Sequence, residues 1–318
     1  MFGRLVAADD RTGAFEAAAW LAEAEAPVTV WVGAARGDGV VDIGTRHCSG
    51  VEAAARVSAL PSARWRAHKT DSLLRGNWPA ELRALGGRVL FVPAWPEMGR
   101  VCVNGVVYAD GVRVGVVGDG LPESRSLTDE SAVVRWLDGG EGVGVADVCT
   151  AEQMQSVVGA ASGYADVVVA GPAGAIGAAH VARFGEGVRA PAPALAGSAM
   201  VVNGSASPVA HEQVARLRSA RPDIGVWSVP AGATDLRPEA AQGLAERASR
   251  SVVSASTVVV IGGDTAAALL ADEPRLVGGF VAAGMPWSRD EHGGGPLVIS
   301  KAGAFGGADA LVALFAPS

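Results

Sequence analysis

The sequence predicts an α/β protein of two domains, each built on a mainly parallel sheet. Apolar strand-like runs alternate with Ala-rich helical runs, a pattern typical of parallel strands with helices on both faces of the sheet. The 318 residues are enough for two domains with separate cores. A Pro- and Ala-rich stretch without periodicity interrupts the alternation near residue 190. We therefore expect domains at residues 1–186 and 199–318, a linker at 187–198, and an active-site cleft between the domains.

In the first domain, short runs rich in Val, Leu and Ile predict strands, and the longer Ala-rich runs between them predict helices. The predicted strands are residues 5–8, 28–32, 40–43, 88–92, 144–148 and 165–170. The predicted helices are residues 13–24, 51–60, 78–85, 150–160 and 174–184. Thr150 is the expected cap of the fourth helix. Residues 105–120 mix Gly and Val with isolated polar residues, which predicts a β-hairpin or a loop excursion.

The second domain repeats the strand-then-helix order. The predicted strands are residues 199–202, 224–229, 257–261 and 296–300, and the predicted helices are residues 208–219, 238–251, 265–271 and 308–315.

Composition excludes several classes of function. An apolar content of 49% with 19% charged residues is typical of a compact soluble protein and not of a disordered one. The net charge of -7 argues against a nucleic-acid surface, and the apolar runs are too short to span a bilayer. Cys48, Cys102 and Cys149 lack metal-ligand spacing and are expected to be buried thiols in a reducing compartment. No export signal is evident, so a cytoplasmic location without membrane or nucleic-acid partners is expected.

One stretch of nine residues in the first domain, Lys69-Thr-Asp-Ser-Leu-Leu-Arg-Gly-Asn77, carries two cations, a carboxylate, two hydroxyls and an amide. Lys and Arg neutralise anions, and Arg can bind a carboxylate through two hydrogen bonds. Asp and Ser can accept from and donate to hydroxyl groups. The stretch therefore indicates a pocket for a small hydroxylated anion. The alternative is the start of an amphipathic helix with a charged first turn.

Asp9 and Asp10 stand where the first strand ends and the first helix begins. A carboxylate at this point can cap the helix, or it can point into a crevice and bind a substrate hydroxyl. The sequence leaves both roles open.

Three glycine-containing turns of the second domain, at residues 204–208, 262–265 and 303–309, each follow an apolar strand and lead into a helix. Ser207 is the expected cap of the first helix, and Asp264 or Thr265 that of the second. Helix N-termini carry exposed N–H groups and partial positive charge, which suit phosphate oxygens. Each turn alone could be an ordinary connection. Together they indicate a nucleotide site, although neither a P-loop nor a dinucleotide fingerprint occurs.

Six separated motifs occur in a fixed order along the chain. They are RLVAADDRTGA at 4–14, KTDSLLRGN at 69–77, VPAWPEMGR at 92–100, VNGSASP at 202–208, IGGDT at 261–265 and KAGAFG at 301–306. In this order they resemble the four-carbon acid sugar kinase family, two-domain ATP-dependent kinases of threonate, erythronate and their 3-oxo relatives. The resemblance runs from about residue 4 to about residue 311.

The resemblance implies a kinase that phosphorylates the terminal hydroxyl of a tetronate or 3-oxo-tetronate to its 4-phosphate. It implies that the first domain binds the sugar acid through Asp9, Asp10, Arg46, Lys69, Asp71, Ser72, Arg75, Asn77 and Arg100. It implies that the second domain binds ATP through Ser205, Ser207, Gly262, Gly263, Asp264, Thr265, Gly284, Gly303 and Gly306. The glycine loop at 293–295 is expected to line the adenosine side. A homodimer is also implied.

Phosphoryl transfer depends on positioning and on cations that stabilise the transferring group. Asp71 or Asp10 is expected to accept the proton of the substrate hydroxyl, and the sequence does not rank them. Mg²⁺ is expected with ATP, and Asp264 is its candidate ligand. Two alternatives remain open: a kinase of another small polyol or sugar acid, and a nucleotide- or metabolite-binding sensor that has lost transfer. The presence of all the expected charged residues favours a kinase.

Overall fold

The structure, a computed structural model, describes residues 1–195, 197–233 and 238–316. It divides into two compact units. Unit 1 comprises Met1–Leu21 and Trp31–Val188, and unit 2 comprises Ala22–Val30 and Arg189–Ser318. Each unit contains helices and a mostly parallel set of strands, so the predicted α/β class is confirmed.

Seven strands of unit 1 form a parallel sheet. The elements are β1 (Phe2–Ala8), α1 (Arg11–Leu21), β2 (Val28–Val32, whose first three residues belong to unit 2), β3 (Gly39–Asp42), α2 (Gly50–Ser58), β4 (Ala63–Lys69), α3 (Trp78–Leu85), β5 (Arg88–Phe91), β6 (Arg100–Val103), β7 (Val106–Ala109), β8 (Val112–Val116), α4 (Val117–Gly120), β9 (Arg125–Leu127), α5 (Glu130–Leu137), β10 (Val143–Ala146), α6 (Ala151–Ala161), β11 (Val167–Gly171) and α7 (Ala173–Phe184). The strand order is β3-β1-β4-β11-β5-β10-β9. Because all seven strands run the same way, their carboxyl ends lie along one edge of the sheet.

Local signals explain most of these elements. Thr150 caps α6 through a capping box with Gln153, as predicted. Strand β4 was not predicted, because Arg64, Arg66 and Lys69 give it a charged composition. Only the last three residues of β4 are buried. They come after the part of the strand in which Arg64 and Arg66 alternate with other residues, so the buried part has no apolar run of its own.

The segment predicted as a hairpin or loop forms a separate antiparallel sheet, β6-β7-β8. The β6–β7 turn uses Asn104 (φ 51°) and Gly105 (φ 69°), the left-handed pair typical of tight hairpins. The carboxylate of Asp147 accepts the N–H groups of both residues. This acceptor fixes the small sheet to the loop after β10.

Unit 2 has its own set of helices and strands. Its elements are β12 (Ala199–Asn203), α8 (Pro208–Ala220), β13 (Gly225–Ser228), α9 (Pro238–Ser254), β14 (Thr257–Ile261), α10 (Gly263–Leu270), β15 (Arg275–Ala282), β16 (Met285–Asp290), β17 (Leu297–Lys301) and α11 (Ala310–Leu314). Strands β13, β12, β14 and β17 are neighbours in that order and parallel. Strands β16 and β15 continue the sheet in antiparallel fashion.

The predicted boundaries place residues 22–30 in the first domain, whereas the structure places them in unit 2. Residues 28–30 pair with β15 in antiparallel register, and this pairing assigns them to unit 2. Strands β15 and β16 were themselves missed. Two adjacent glycines, Gly278 and Gly279, interrupt the strand pattern of β15, and its pairing with β16 is irregular at this point.

Of the three cysteines, only Cys102 is buried; Cys48 is half-buried and Cys149 exposed, and all three are free thiols. The expectation of three buried thiols is therefore wrong for Cys149, which lies in the exposed loop that leads into α6. Within the described residues, no helix combines the length and the apolar character needed to cross a membrane.

Candidate functional site

Three neighbouring parallel strands of unit 1 end in charged residues. Strand β1 lies between β3 and β4, so Asp9 and Asp10 follow it at the same edge as Arg46 and as Lys69 and Asp71. The carbonyl of Asp9 accepts the N–H groups of Thr45 (3.0 Å) and Arg46 (3.3 Å). Backbone bonds thus fix the loops to one another. We refer to Asp9, Asp10, Arg46, Lys69 and Asp71 as the charged cluster.

Arg46 lies at the centre of the charged cluster. Its guanidinium donates to Asp9 Oδ2 through Nε (2.9 Å) and Nη2 (2.6 Å), and to Asp10 Oδ2 through Nη1 (2.8 Å). Nη2 also lies 3.3 Å from Asp71 Oδ1. Only 12% of the side chain is exposed. The predicted role of Arg46 in clamping a substrate carboxylate therefore competes with a role in holding three protein carboxylates together.

Asp10 caps helix α1. Its Oδ1 accepts the N–H of Gly13 (2.8 Å), and its Oδ2 accepts the hydroxyl of Thr12 (2.8 Å) besides Arg46. Burial raises the pKa of Asp10, but Arg46 and Lys69 outweigh burial, and the net pKa lies below the ordinary value. The helix-capping role that the sequence left open is thus occupied by Asp10.

Asp71, like Asp10, accepts hydrogen bonds at both of its carboxylate oxygens. Its Oδ2 accepts the N–H groups of Leu73 (3.0 Å) and Arg75 (3.1 Å) and the Arg75 Nε (2.9 Å), while its Oδ1 accepts Arg75 Nη2 at 2.6 Å. Burial opposes ionisation, yet Arg46 and Arg75 hold the pKa of Asp71 well below its usual range. Arg75 keeps 61% of its side chain exposed and can reach a ligand. Ser72 is half-buried in the same turn.

Lys69 and Asp9 are the least satisfied members of the charged cluster. The Lys69 Nζ lies 3.7 Å from Asp9 Oδ1 and 3.8 Å from Asp10 Oδ1, which are ion-pair distances but too long for hydrogen bonds. Asp9 Oδ1 is buried and accepts no hydrogen bond from a described residue. Burial raises the pKa of Asp9 to about 6 against the opposing effects of Arg46 and Lys69. The charged cluster therefore contains one ammonium and one carboxylate oxygen with unused capacity.

Glu16 extends this arrangement from the second turn of α1, and sequence reasoning missed it. Its side chain is 4% exposed, and its Oε1 has no hydrogen-bond partner among the described residues. Burial raises its pKa to about 7, and the ammonium of Lys69 is the strongest opposing influence. A single acid within an Ala-rich helix was the available signal, because every residue of α1 except Trp20 is buried.

Two predicted substrate-binding residues have other contacts. The amide nitrogen of Asn77 donates to the carbonyls of Thr45 (2.7 Å) and Cys48 (2.8 Å), so Asn77 positions the loop that carries Arg46. Arg100 is buried in β6, where its guanidinium donates to the carbonyl of Met98 and to Asp110.

In unit 2 the three predicted glycine turns converge. They follow β12, β14 and β17, whose carboxyl ends share one edge. A Cβ on Gly204 would collide with Thr265 Oγ1, and a Cβ on Gly303 would collide with Ser205 Oγ. The close approaches require glycine at both positions. Thr265 Oγ1 is buried and has no hydrogen-bond partner among the described residues.

The helix caps of unit 2 differ from the prediction. Ser207 stands at the N-cap of α8 but makes no side-chain capping bond. Its backbone N–H donates to Ser205 Oγ (3.1 Å). The N-cap of α10 is Gly262 at φ 106°, and Gly263, Asp264 and Thr265 lie inside the helix. Both helices therefore begin without a side-chain cap, which leaves amide N–H groups for a ligand.

Two other glycine segments lie at opposite edges of the unit 2 sheet. Gly284 connects β15 to β16, and because β16 is antiparallel to β17 this turn lies at the edge where β17 ends. The loop at 293–295 connects β16 to the start of β17 and lies at the other edge. That this loop lines the adenosine side stays a prediction.

Gln213 is a further residue that sequence reasoning missed. It is fully buried in α8, and its amide nitrogen lies 2.9–3.1 Å from the carbonyls of Phe305, Gly306 and Gly307. Gln213 thus holds the turn that contains Gly303 and Gly306 in place. A polar residue on the apolar face of α8 was the only signal.

Residues 4–118 match the model of the sugar-binding N-terminal domain family. This range contains the charged cluster, Glu16, Arg75 and Asn77. This part of the chain is similar to that family. The D-threonate kinase of Cupriavidus necator is 34% identical to this chain over 123 residues. These matches confirm the resemblance to the four-carbon acid sugar kinases.

The similarity to D-threonate kinase covers 34% of this chain and 30% of that relative, so under a third of the relative's length is matched. Two solved structures resemble this chain over 98% of both lengths. They are a Salmonella typhimurium LT2 protein that carries the provisional name of a tRNA synthase, with TM-score 0.76 and 18% identity, and the Haemophilus influenzae protein HI1011 of the DUF1537 family, with TM-score 0.65 and 17% identity. At these identities the likeness shows the fold.

Gly13, in the first turn of α1, gives a direct test of the packing around Lys69. A Cβ on Gly13 would lie 2.6 Å from Lys69 Cε and 2.7 Å from Asp10 Oδ1, so Gly13→Ala must displace the ammonium or the helix cap. We expect a loss of stability of about 1–3 kcal/mol, typical of overpacking, seen as a lower thermal unfolding midpoint. Gly159→Ala is the matched control, because Gly159 is also helical and has nothing within 4 Å of an added Cβ. A midpoint for Gly13→Ala equal to or above that of Gly159→Ala would contradict this packing.

Proposed function

We propose that this protein is an ATP-dependent kinase of a small sugar acid, which binds the acid on unit 1 and ATP on unit 2. The charged cluster supports this proposal most strongly. Its Lys69 ammonium lies at the carboxyl edge of a parallel sheet, in a region that matches a sugar-binding domain, without a hydrogen-bond acceptor among the described residues. The carboxylate of a sugar acid supplies that acceptor. The partial identity to D-threonate kinase favours a four-carbon acid and transfer to its terminal hydroxyl, giving the 4-phosphate.

The residues of unit 1 divide into two groups under this proposal. Lys69 and the exposed Arg75 bind the anionic groups, and Ser72 contributes a hydroxyl for hydrogen bonding. Arg46 and Asn77 instead fix the loops that present these groups, because their own donors are bonded to the protein. Arg100 has no assigned contact with the acid. The negative charge of the substrate is thus bound by Lys69 and Arg75, on loops that Arg46 and Asn77 hold in place.

The unit 2 turns suit the phosphates of ATP. The uncapped starts of α8 and α10 offer amide N–H groups, and the hydroxyl of Thr265 lacks a hydrogen-bond partner among the described residues. Ser205, Ser207, Gly262, Gly263, Gly303 and Gly306 form the surrounding turns, and Gly284 lies at the same edge.

Mg²⁺ bound with the nucleotide would neutralise phosphate charge. No group of three or more potential metal ligands occurs among the described residues, so the protein would supply one or two ligands, with Asp264 in the first turn of α10 as the candidate. Transfer further requires the two sites to meet in a shared cleft during turnover. That cleft, the homodimer and the cytoplasmic location remain predictions.

A coupled assay of ADP release tests the proposal. The panel contains tetronates, 3-oxo-tetronates and pentonates, with threitol and erythritol as neutral matched controls. We expect a tetronate or 3-oxo-tetronate to give the highest kcat/KM. The controls should be slower by about 10–100-fold, since each lost hydrogen bond to a charged group is worth about 1.5–3 kcal/mol.

Each alternative predicts a different outcome of this assay. Equal rates with acids and neutral polyols would indicate a kinase of another acceptor. Binding of ATP without ADP release from any member of the panel would indicate a sensor and would contradict the proposed activity.

A further inference from the structure

We infer that Asp9, through its Oδ1, is the group that accepts the proton of the substrate hydroxyl during phosphoryl transfer. This inference rests on the proposed function and assigns to Asp9 a catalytic role for which the sequence suggested Asp71 or Asp10. It depends on which carboxylate oxygen of the charged cluster is left for a substrate.

The hydrogen bonds of the charged cluster leave one carboxylate oxygen unengaged. Both oxygens of Asp10 accept strong bonds, from Gly13 on one side and from Thr12 and Arg46 on the other. Both oxygens of Asp71 accept bonds from the Arg75 side chain. Asp9 Oδ2 accepts two bonds from Arg46, whereas Asp9 Oδ1 accepts none from any described residue. A base must have a free lone pair, and Asp9 Oδ1 is the carboxylate oxygen of the charged cluster on which no lone pair is used by a described donor.

The surroundings of Asp9 also suit a base at neutral pH. It faces Arg46 from the β3–α2 loop, Lys69 from β4, Asp10 from its own loop and Asp71 from the loop after β4. Burial raises its pKa to about 6, so the carboxylate is ionised at pH 7 but more basic than an exposed one. The lowered pKa values of Asp10 and Asp71 make these two groups weak bases. An acceptor with a pKa just below the working pH is the most effective one.

Lys69 can uncover Asp9 Oδ1. Its Nζ lies 3.7 Å from this oxygen and is held there by ion pairing, without a hydrogen bond to a described residue. When the ammonium turns toward the carboxylate or the transferring phosphoryl group, the substrate hydroxyl takes its place beside Asp9. The hydroxyl O–H bond then breaks and its proton passes to Asp9 Oδ1. The hydroxyl oxygen forms a bond to the γ-phosphorus of ATP, the bond from that phosphorus to the bridging oxygen breaks, and ADP leaves. Asp9 afterwards releases the proton to water.

The test compares Asp9→Asn with Asp71→Asn, using the acid with the fastest ADP release. For Asp9→Asn we expect kcat to fall by about 100-fold or more, with the KM for the acid changed little. For Asp71→Asn we expect the larger change in KM, because this variant loosens Arg75. The wild-type kcat/KM should rise with pH through about 6, as Asp9 loses its proton. This acid limb should persist in Glu16→Gln and be absent in Asp9→Asn.

A second measurement does not depend on activity. Infrared spectra of Glu16→Gln, recorded between pH 4.5 and 8, should show a buried carboxyl that titrates near pH 6 and is absent when Asp9→Asn is added. Turnover of Asp9→Asn within threefold of wild type, or a carboxyl signal that Asp9→Asn leaves in place, would overturn the role of Asp9. If wild type releases no ADP with any acid, the proposed function fails, and the infrared titration still reports on Asp9 separately.

Discussion

Replacing Arg46 with alanine is expected to destabilise unit 1 by about 3–5 kcal/mol, the usual cost of removing one partner from a buried ion pair. Arg46 holds Asp9, Asp10 and Asp71 with donor–acceptor distances of 2.6–3.3 Å, and all three carboxylates are at least nine-tenths buried. Without the guanidinium, the three buried carboxyl groups remain close together. Among the cations described above, Lys69 and the exposed Arg75 then remain beside them. Native-state hydrogen exchange of peptides from β1, β3 and β4 measures the loss in unit 1 alone.

The loss should depend on pH with a definite sign. Folding lowers the pKa of Asp10 and Asp71, so their contribution to stability is present above the unfolded value and is lost as pH falls through the folded one. Arg46 is the main cause of both lowered pKa values after the opposing effect of burial. In Arg46→Ala these pKa values rise, so protonation can relieve the buried charge. We expect the deficit to be largest at pH 8 and to shrink toward pH 5.5.

Arg83→Ala is the matched control for Arg46→Ala. Arg83 also donates to a carboxylate at 2.6 Å, that of Glu123, but both side chains are about half exposed. Exposed pairs contribute little, so exchange in unit 1 should stay near wild type at every pH. A deficit in Arg46→Ala that is no larger than that of Arg83→Ala, or that does not vary with pH, would show that Arg46 is not the centre of the charged cluster.

Most of the fold could be predicted from the sequence because periodicity and helix signals are local. The strands at 28–32 and 257–261 were predicted residue for residue, and the cap of α6 at Thr150 is as expected. The predictions failed where long-range pairing decides the structure. Strand β4 has a charged composition and becomes a strand only because β1 and β11 pair with it on both sides. Strand β15 carries two glycines and depends on β16 and β2.

The candidate site divides in the same way. Composition and spacing predicted which residue types gather near Asp9 and Lys69, but they could not predict how the hydrogen bonds are distributed. Whether Asp10 caps a helix or faces a ligand depends on the orientation of its side chain, which the structure shows as directed to Gly13 and Thr12. Asn77 has the composition of a ligand-binding residue but bonds to two carbonyls across the turn. Glu16 and Gln213 were missed because a lone buried polar residue has no sequence motif.

The second large effect on stability is expected at the buried pair formed by His68, which precedes Lys69 in β4, and Glu81 of α3. His68 Nε2 lies 2.9 Å from Glu81 Oε2, and both side chains are fully buried. Burial raises the pKa of Glu81, but several opposing influences, of which the hydrogen bond from His68 is the strongest, together outweigh burial and lower the net pKa. His68→Leu would leave this carboxylate buried without the imidazole, so we expect a loss of about 3–5 kcal/mol in unit 1. Hydrogen exchange of β4 and α3 peptides measures it.

The double variant His68→Leu/Glu81→Leu distinguishes a buried charge from simple loss of packing. Replacing both partners with apolar residues of similar size removes the unpaired carboxylate as well, and such replacements are often neutral or stabilising. We therefore expect the double variant to regain most of the stability that His68→Leu loses. If the two substitutions instead add their separate losses, the pair contributes by shape alone. Recovery in the double variant would mean that the imidazole compensates a carboxylate that links β4 to α3, the two elements that flank the Lys69–Asn77 turn.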